Sequence, residues 1–434
     1  MYQFETEHMR MRVLFISANR EDINMPTLPM GLGCVAAATR KANHDVLFVD
    51  LLTTGDIRPV IAKTIDEFAP QVIGISVRNI DDQVMNSPRF MLDQAKAVVS
   101  LCKKLSNAPL VLGGAGYSMF PQSALEYLGA DMGIQGEGEV AFPVLLKHIE
   151  LQTDLSGVPG LYLRGQGLQA KRTYIQDLDS LPFPEPSLLV SANGEKTNYW
   201  LPFQTRRGCP LYCSYCSTAT IEGHLVRRRS PAAAVRELSR WVGAGFNQVF
   251  FVDNTFNLPQ AYAMDLCNRL AAASLDITWR CILYPHKISE DLVKTMAKAG
   301  CAEVSLGFES GNNDILRALN KRFDTGEIRQ ANRILADYGI RRMGFLMLGA
   351  PGETRKSVAQ SFDFAESLDL DALKITLGIR IYPHTDLAKA AIEEGQITAD
   401  DNLLFPRFYI DQELKEWLET YVNDRAKNRP NWFL

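Results

Sequence analysis

Three cysteines, Cys209, Cys213 and Cys216, fall within eight positions of one another in the run RRGCPLYCSYCSTAT at 206–220. Thiolates are the ligands of iron–sulfur clusters and of zinc. A closed zinc site, or a cubane held wholly by protein, takes four ligands. Three thiolates therefore leave one metal position open, and an open position is what a catalytic site keeps for its substrate. His224, eight residues past Cys216, leaves a Cys3His zinc site as the competing reading. Cys34, Cys102, Cys267, Cys281 and Cys301 each stand alone in an apolar context, where buried structural thiols are common.

The surrounding chain sets the frame for this triplet. Its 434 residues exceed one ordinary core, so two domains, or a barrel with a smaller domain, are expected. Apolar residues make up 46%, charged residues 22%, and the net charge is −4, which leaves no electrostatic footprint for DNA or RNA. Apolar runs such as QVFFVD and GFLMLGAP fall far short of the roughly 20 residues that span a bilayer. MYQFETEHMRMR has no apolar core behind a basic region, so no signal peptide is expected. A cytoplasmic, reducing setting follows, in which clustered cysteines point to metal or catalysis rather than to disulfides.

Short β-rich runs alternate with amphipathic helical runs along 1–150: strands at 12–18, 45–50, 71–77 and 108–116, and helices at 29–42, 56–68 and 90–105. This alternation predicts an α/β fold beginning with a doubly wound, Rossmann-like parallel sheet, whose ligands bind at the carboxyl ends of the strands. Those ends carry Ser76, Arg78 and Asn79, then Gly113 and Gly114, then Gly136, Glu137, Gly138 and Glu139. Glycine there lets backbone approach a bulky ligand, or serves only the turn. Residues 151–200 read as a linker, since 157–202 are rich in Pro and Gly.

The order strand–Ser, strand–Gly-Gly, GEGE over 10–150 resembles the cobalamin-binding domain that precedes many radical S-adenosylmethionine enzymes. The resemblance implies cobalamin held by Ser76, Arg78, Asn79, Gly113, Gly114, Gly136, Glu137 and Gly138. There is one departure. Many such domains carry Asp-x-His-x-x-Gly after the first strand, but residues 17–31 here read SANREDINMPTLPMG, and His8 and His44 lie elsewhere. No histidine ligand to cobalt is expected from this loop.

Cys-x3-Cys-x2-Cys with Tyr215 before the last cysteine is similar to the signature of radical S-adenosylmethionine enzymes, in which a 4Fe–4S cluster's open iron binds S-adenosylmethionine. The second half agrees. Strands at 248–257, 277–285, 302–311, 341–354 and 372–385 alternate with helices at 258–273, 288–299, 326–338 and 355–368. This predicts a partial (β/α)6 TIM-type barrel over 201–385 with its site at the strand tops. A short helical C-terminal tail over 386–434, its helix at 412–424, completes the chain.

The resemblance implies that Glu309 and Ser310 meet the ribose or amino group of S-adenosylmethionine and Arg280 its carboxylate. Tyr215 and the strand ending at Gly349 would flank adenine, with Asp253 and Asn254 near the methionine end. Plainer readings pair Glu309 and Arg280 as a salt bridge and make Asp253 and Asn254 helix caps. Arg227, Arg228 and Arg229 read as a solvated face or a phosphate-facing turn. No catalytic side chain is singled out.

The function implied is cobalamin-dependent methylation of an unactivated carbon of a small molecule, through a 5′-deoxyadenosyl radical and methylcobalamin. An external electron donor such as flavodoxin or ferredoxin would serve it. The alternatives are a radical cyclase or rearrangement enzyme in which cobalamin is absent or not a methyl donor, and a zinc-binding non-radical protein.

Overall fold

The computed structural model describes residues 10–21, 26–189 and 200–434. The chain divides into two units, Met1–Ile80 with Met91–Glu195 and Asp81–Phe90 with Lys196–Leu434. His8 and part of the 17–31 loop fall outside the described residues.

In the first unit, β1 (Arg12–Ser17), β2 (Asp45–Asp50), β3 (Val72–Ser76), β4 (Leu110–Gly113) and β5 (Met132–Ile134) form a parallel sheet in the order 2-1-3-4-5. Val13, Leu14, Phe15 and Ile16 of β1 are all buried, as helices on both faces require. Val13 and Phe15 share a core with Phe142 and Leu145 of the helix Gly138–Leu151. The strand order reverses between β1 and β3, and such a switch point opens a crevice at the strand carboxyl ends. A hollow lies there, lined by Ala18, Asn19, Val77, Arg78, Asn79 and Gln94 among others. Part of the stretch expected as linker is sheet: β6 (Leu161–Leu163) and β7 (Gly167–Leu168) extend β5 antiparallel.

In the second unit, β8 (Leu201–Phe203), β9 (Gln248–Phe251), β10 (Thr278–Leu283), β11 (Cys301–Glu309), β12 (Arg341–Leu348) and β13 (Ala372–Leu377) pair parallel in chain order. A short β14 (Trp432–Phe433) lies on the free edge of β13. This is the predicted six-stranded open barrel plus one strand. Alternation along the strands separates two faces. Val304, Leu306 and Phe308 of β11 are buried, and Phe308 packs with Val358 and Phe362 of the helix Arg355–Ser367. Glu303, Ser305, Gly307 and Glu309 take the opposite face and stay part-exposed, as do Lys374 and Thr376 of β13. That second row is the inner wall of the barrel.

The tail helix begins later than its hydrophobic period suggested, at Leu418–Ala426 rather than 412. Leu414, Leu418 and Val422 still form a buried row at a spacing of four, and they pack in the same core as Phe362. Residues 412–417 keep the period in turn geometry. No described helix is long and apolar enough to cross a membrane.

Residues 81–90 interrupt the first unit's chain between β3 and the helix Leu92–Leu105, yet belong to the second unit. The buried Arg380 holds them there. Its Nε lies 2.8 Å from Asp81 Oδ2, both side chains are 2% exposed, and its other nitrogens donate to the carbonyls of Ile381, Leu403 and Leu404. Removing one partner of a buried pair leaves an uncompensated charge, which costs about 3–5 kcal/mol. Arg380→Ala is therefore expected to lose about that much in denaturant unfolding, and Asp81→Ala combined with Arg380→Ala to lose less than the single change.

Candidate active site

The triplet sits on a loop whose two ends are tied to the top of β9. Thr205 and Arg206 donate their backbone N–H groups to Asp253 Oδ1 at 2.7 and 2.8 Å. Thr205 Oγ1 and Arg206 Nη2 donate to Oδ2 at 2.5 and 2.8 Å. Asp253 is 1% exposed. The neighbouring Asn254 donates Nδ2 to Glu222 Oε2 at 2.6 Å, and Glu222 also accepts from Gly208 N at 2.9 Å and from Gln204 Nε2 at 2.7 Å. Cys209 N donates to Gly223 O at 3.0 Å and closes the ring. Gly208 has φ +91, and a Cβ there would lie 2.1 Å from Leu225 O, so the turn into Cys209 demands glycine.

Within this ring Cys209 is buried, Cys213 half-buried and Cys216 exposed. Burial pushes the Cys209 thiol up to about 11, and nearby Cys216 and Cys213 add to it. Burial also raises Cys213, opposed by the charge of Lys321. Among the described residues, no three His, Cys, Asp or Glu donors converge as a single metal ion requires. A cubane takes one thiolate per iron. The His224 ring stacks on Tyr212 with centroids 4.2 Å apart.

Opposite the loop, Glu309 ends β11 on the inner wall. Its φ is +63, and the pairing of β11 with β12 slips by a bulge between Gly307 and Glu309. Strain of this kind persists where surrounding structure imposes it, often at functional sites. A Cβ on Gly307 would lie 2.9 Å from Glu309 Oε1, so the bare glycine leaves room for the carboxylate. Tyr215 Oη donates to Glu309 Oε1 at 3.0 Å. Lys321 Nζ donates to the same oxygen at 3.2 Å and to Tyr215 Oη at 3.0 Å. Burial, then Glu309, hold the Tyr215 phenol well above its ordinary range.

The structure therefore brings Cys209, Cys213, Cys216, Tyr215 and Glu309 together, and it gives several other expected residues partners of their own. Arg280 pairs in register with Glu303, six positions before Glu309 on β11. It also pairs in register with Phe250, three positions before Asp253. Arg280 rests over Trp200 and Phe250, 3.7 Å from Glu303. The salt-bridge expectation holds for Glu309 and Arg280, but with different partners. Asp253 caps no described helix, since both its oxygens hold the root of the loop. Ser310 is fully buried against Ser361 at 3.0 Å. Arg227 and Arg229 are 4% and 5% exposed, so only Arg228 of that run fits a solvated face. Gly349, at φ +102, ends the β12 turn and donates its N–H to Glu353 Oε2 at 2.6 Å.

In the first unit the strand ends are bare backbone. Gly114 has φ +101, and a Cβ there would lie 2.5 Å from Val77 O and 2.9 Å from Ser76 Oγ. Ser76 pairs with Gly113 across β3 and β4. Gly136 N donates to Ser118 Oγ at 3.0 Å, and Ser118 Oγ donates to Gly114 O at 2.8 Å, stitching the two turns together. Gly138 opens its helix against Val35. Arg78 donates to Thr27 Oγ1 at 2.6 Å, and Asn79 lies beside Asn19 in the hollow. Glu137 accepts from Ile175 N at 2.7 Å, a tether to the segment after β7. Lys321, Glu222, Arg206 and Ser118 belong to no motif, and sequence reasoning missed them. Glu222, six residues past Cys216, was the nearest to a readable signal.

Residues 204–365 match the Radical SAM superfamily and residues 16–146 the B12 binding domain. An uncharacterized methyltransferase of Pyrococcus horikoshii is 30% identical over 84% of this chain and 78% of its own length. The chain belongs to the cobalamin-binding-domain radical S-adenosylmethionine enzymes. The tryptophan 2-C-methyltransferase of Streptomyces laurentii is 24% identical over 87% of this chain and 74% of its own. The fold is that of the radical S-adenosylmethionine methyltransferase TsrM of Kitasatospora setae, solved with cobalamin and a [4Fe–4S] cluster. The TM-score is 0.80 at 22% identity, covering 89% of this chain and 75% of that one. OxsB, a cobalamin-dependent S-adenosylmethionine radical enzyme solved with aqua-cobalamin, gives 0.75 at 18% identity over 93% and 64%.

In this radical S-adenosylmethionine enzyme, Glu353 makes the turn after β12 sensitive to pH. Burial pushes its carboxyl from 4.5 up to about 7, against the Gly349 and Ala350 N–H groups that favour the anion. A raised carboxyl holds its proton in the folded state after the unfolded chain has lost it. Its contribution to stability is therefore full below 4.5 and lost as pH rises toward 7. The gap is worth about 3 kcal/mol. Relative to Glu353→Gln, the native chain should lose stability across that window and run parallel above it, as read from melting temperatures at stepped pH.

Proposed function

We propose that this protein is a cobalamin-dependent radical S-adenosylmethionine methyltransferase acting on an unactivated carbon of a small molecule. The observation that carries the proposal is the set of three thiols, and not four, on a pinned loop beside an inward-turned Glu309. Cys209, Cys213 and Cys216 would each hold one iron of a 4Fe–4S cluster. Glu309 would receive the amino or ribose group of S-adenosylmethionine, and Tyr215 and Gly349 would border its adenine. When bound, the cluster supplies the electron that starts radical chemistry, and cobalamin supplies a methyl group. The chain's own task is to orient these groups and exclude water. In the first unit, Gly113, Gly114, Gly136 and Gly138 offer bare backbone, and Ser76, Arg78 and Asn79 polar contacts, which suits a wide, flat ligand at the switch point. Residues 17–31 contain no histidine for the cobalt.

An external low-potential electron donor and a cytoplasmic setting belong to the same reading, in accord with eight free cysteines. A second reading, radical ring closure, is favoured by likeness to the anaerobic magnesium-protoporphyrin IX monomethyl ester cyclase of Cereibacter sphaeroides, 25% identical over 82% of this chain and 60% of its own length.

The test is anaerobic reconstitution with iron, sulfide and hydroxocobalamin, then S-adenosylmethionine and reductant. The native chain should gain cluster absorbance, retain corrinoid and release 5′-deoxyadenosine, and Cys213→Ala should lose the first and the last. S-adenosylhomocysteine formed alongside supports methyl transfer over ring closure. Stoichiometric zinc without iron contradicts the proposal.

A further inference from the structure

Lys321 lies in the turn between the helices Asn313–Ala318 and Thr325–Asp337, outside every motif of the sequence. Its side chain is 5% exposed. Its ammonium donates to Tyr215 Oη and Glu309 Oε1, and Tyr215 stands between Cys213 and Cys216 on the cysteine loop. The rings of Tyr215, Tyr284 and Phe323 surround it with centroids 5.2, 6.0 and 5.9 Å away. The backbone fixes it from both sides. Lys321 N donates to Leu316 O at 2.9 Å, and Arg322 N donates to Tyr284 Oη at 2.8 Å. Leu319 O accepts from Ser214 N at 3.1 Å, so this turn also grips the cysteine loop.

A buried ammonium is costly unless its donors are met. Burial alone would lower the Lys321 pKa, yet Glu309, Tyr215 and Cys213 together hold it well above its ordinary value, so the charge stays. Neutralising that charge would need Glu309 alone. The bond to Tyr215 gives the arrangement a further use, because one side chain joins the cysteine loop to the carboxylate on the facing strand. Hydrogen bonds to the sulfurs and the net charge around an iron–sulfur cluster set its reduction potential. Reduction adds one negative charge, which a fixed cation held against the cysteine loop stabilises.

We propose that Lys321 is a positioning residue that raises the reduction potential of the cluster held by Cys209, Cys213 and Cys216 while holding Glu309 and Tyr215 in place. This rests on the reading of those cysteines as cluster ligands. One electron enters the cluster from an external low-potential donor, and no bond or proton changes at Lys321.

The test is an EPR-monitored redox titration of the full chain, reconstituted with iron and sulfide and free of S-adenosylmethionine. Lys321→Met should lower the reduced-to-oxidised ratio at a fixed poise about tenfold, or about 59 mV for a one-electron couple. Lys321→Gln, which keeps a donor and loses the charge, should shift the same way and decides the matter if the Met variant fails to load. Lys321→Arg should stay near the native potential. Loaded Met or Gln variants that titrate with the native chain overturn the inference, even if they melt earlier, and leave the cysteine reading intact. A native chain that takes up no cluster overturns both.

Discussion

The second unit depends on one buried carboxylate. Asp253, at the end of β9, accepts from the backbone of Thr205 and Arg206 and from both their side chains. A buried ion pair of this kind is a poor source of net stability, because desolvation offsets most of the attraction. Its value is directional. Five donors meeting one carboxylate allow a single path for the chain as it leaves β8, and Gly208 then turns that path into Cys209. Glu222 repeats the device at the far side of the loop, gathering Gln204, Gly208 and Asn254. Under the proposed reading, three thiols that each meet a different iron would benefit from a loop whose shape is set before any metal arrives, since ordering it at the moment of binding would cost affinity.

The facing wall is built the opposite way, by local strain rather than by saturation. Glu309 keeps a left-handed backbone next to a bulge, and Gly307 clears space for its carboxylate. Tyr215 reaches it from the cysteine loop, so one hydrogen bond spans the two walls. Alternation along β11 and β13 does the rest: the buried row carries the core with the outer helices, and the other row is left for what the barrel must hold.

Much of this was legible in the sequence. The apolar runs of a parallel sheet and the 3.6 period of its covering helices are strong signals, and DVLFVD at 45–50 became β2 without change. The cysteine spacing and the glycines after β4 and β5 were legible because each reflects local geometry. The misses share a physical cause. Arg280 and Glu309 were read as a salt bridge with each other, but Arg280 meets Glu303 and Glu309 meets Lys321, because pairing depends on register, which no local pattern states. Asp253 looked like a ligand or a cap, yet its partners lie 47 and 48 residues away in the chain. Lys321 sits in a polar turn that reads as surface. Residues 81–90, equally polar, gave no sign that Asp81 would be buried against Arg380, 299 residues on.

The claim that everything rests on is a cubane with three protein thiolates and one open iron. Mössbauer spectra of the chain reconstituted with 57Fe, before and after S-adenosylmethionine, test it most directly. The account predicts a 4Fe–4S cluster in which one iron site changes its spectrum when S-adenosylmethionine is added while the other three hold. Four iron sites that ignore S-adenosylmethionine, or a chain that takes up zinc in place of iron, would contradict it.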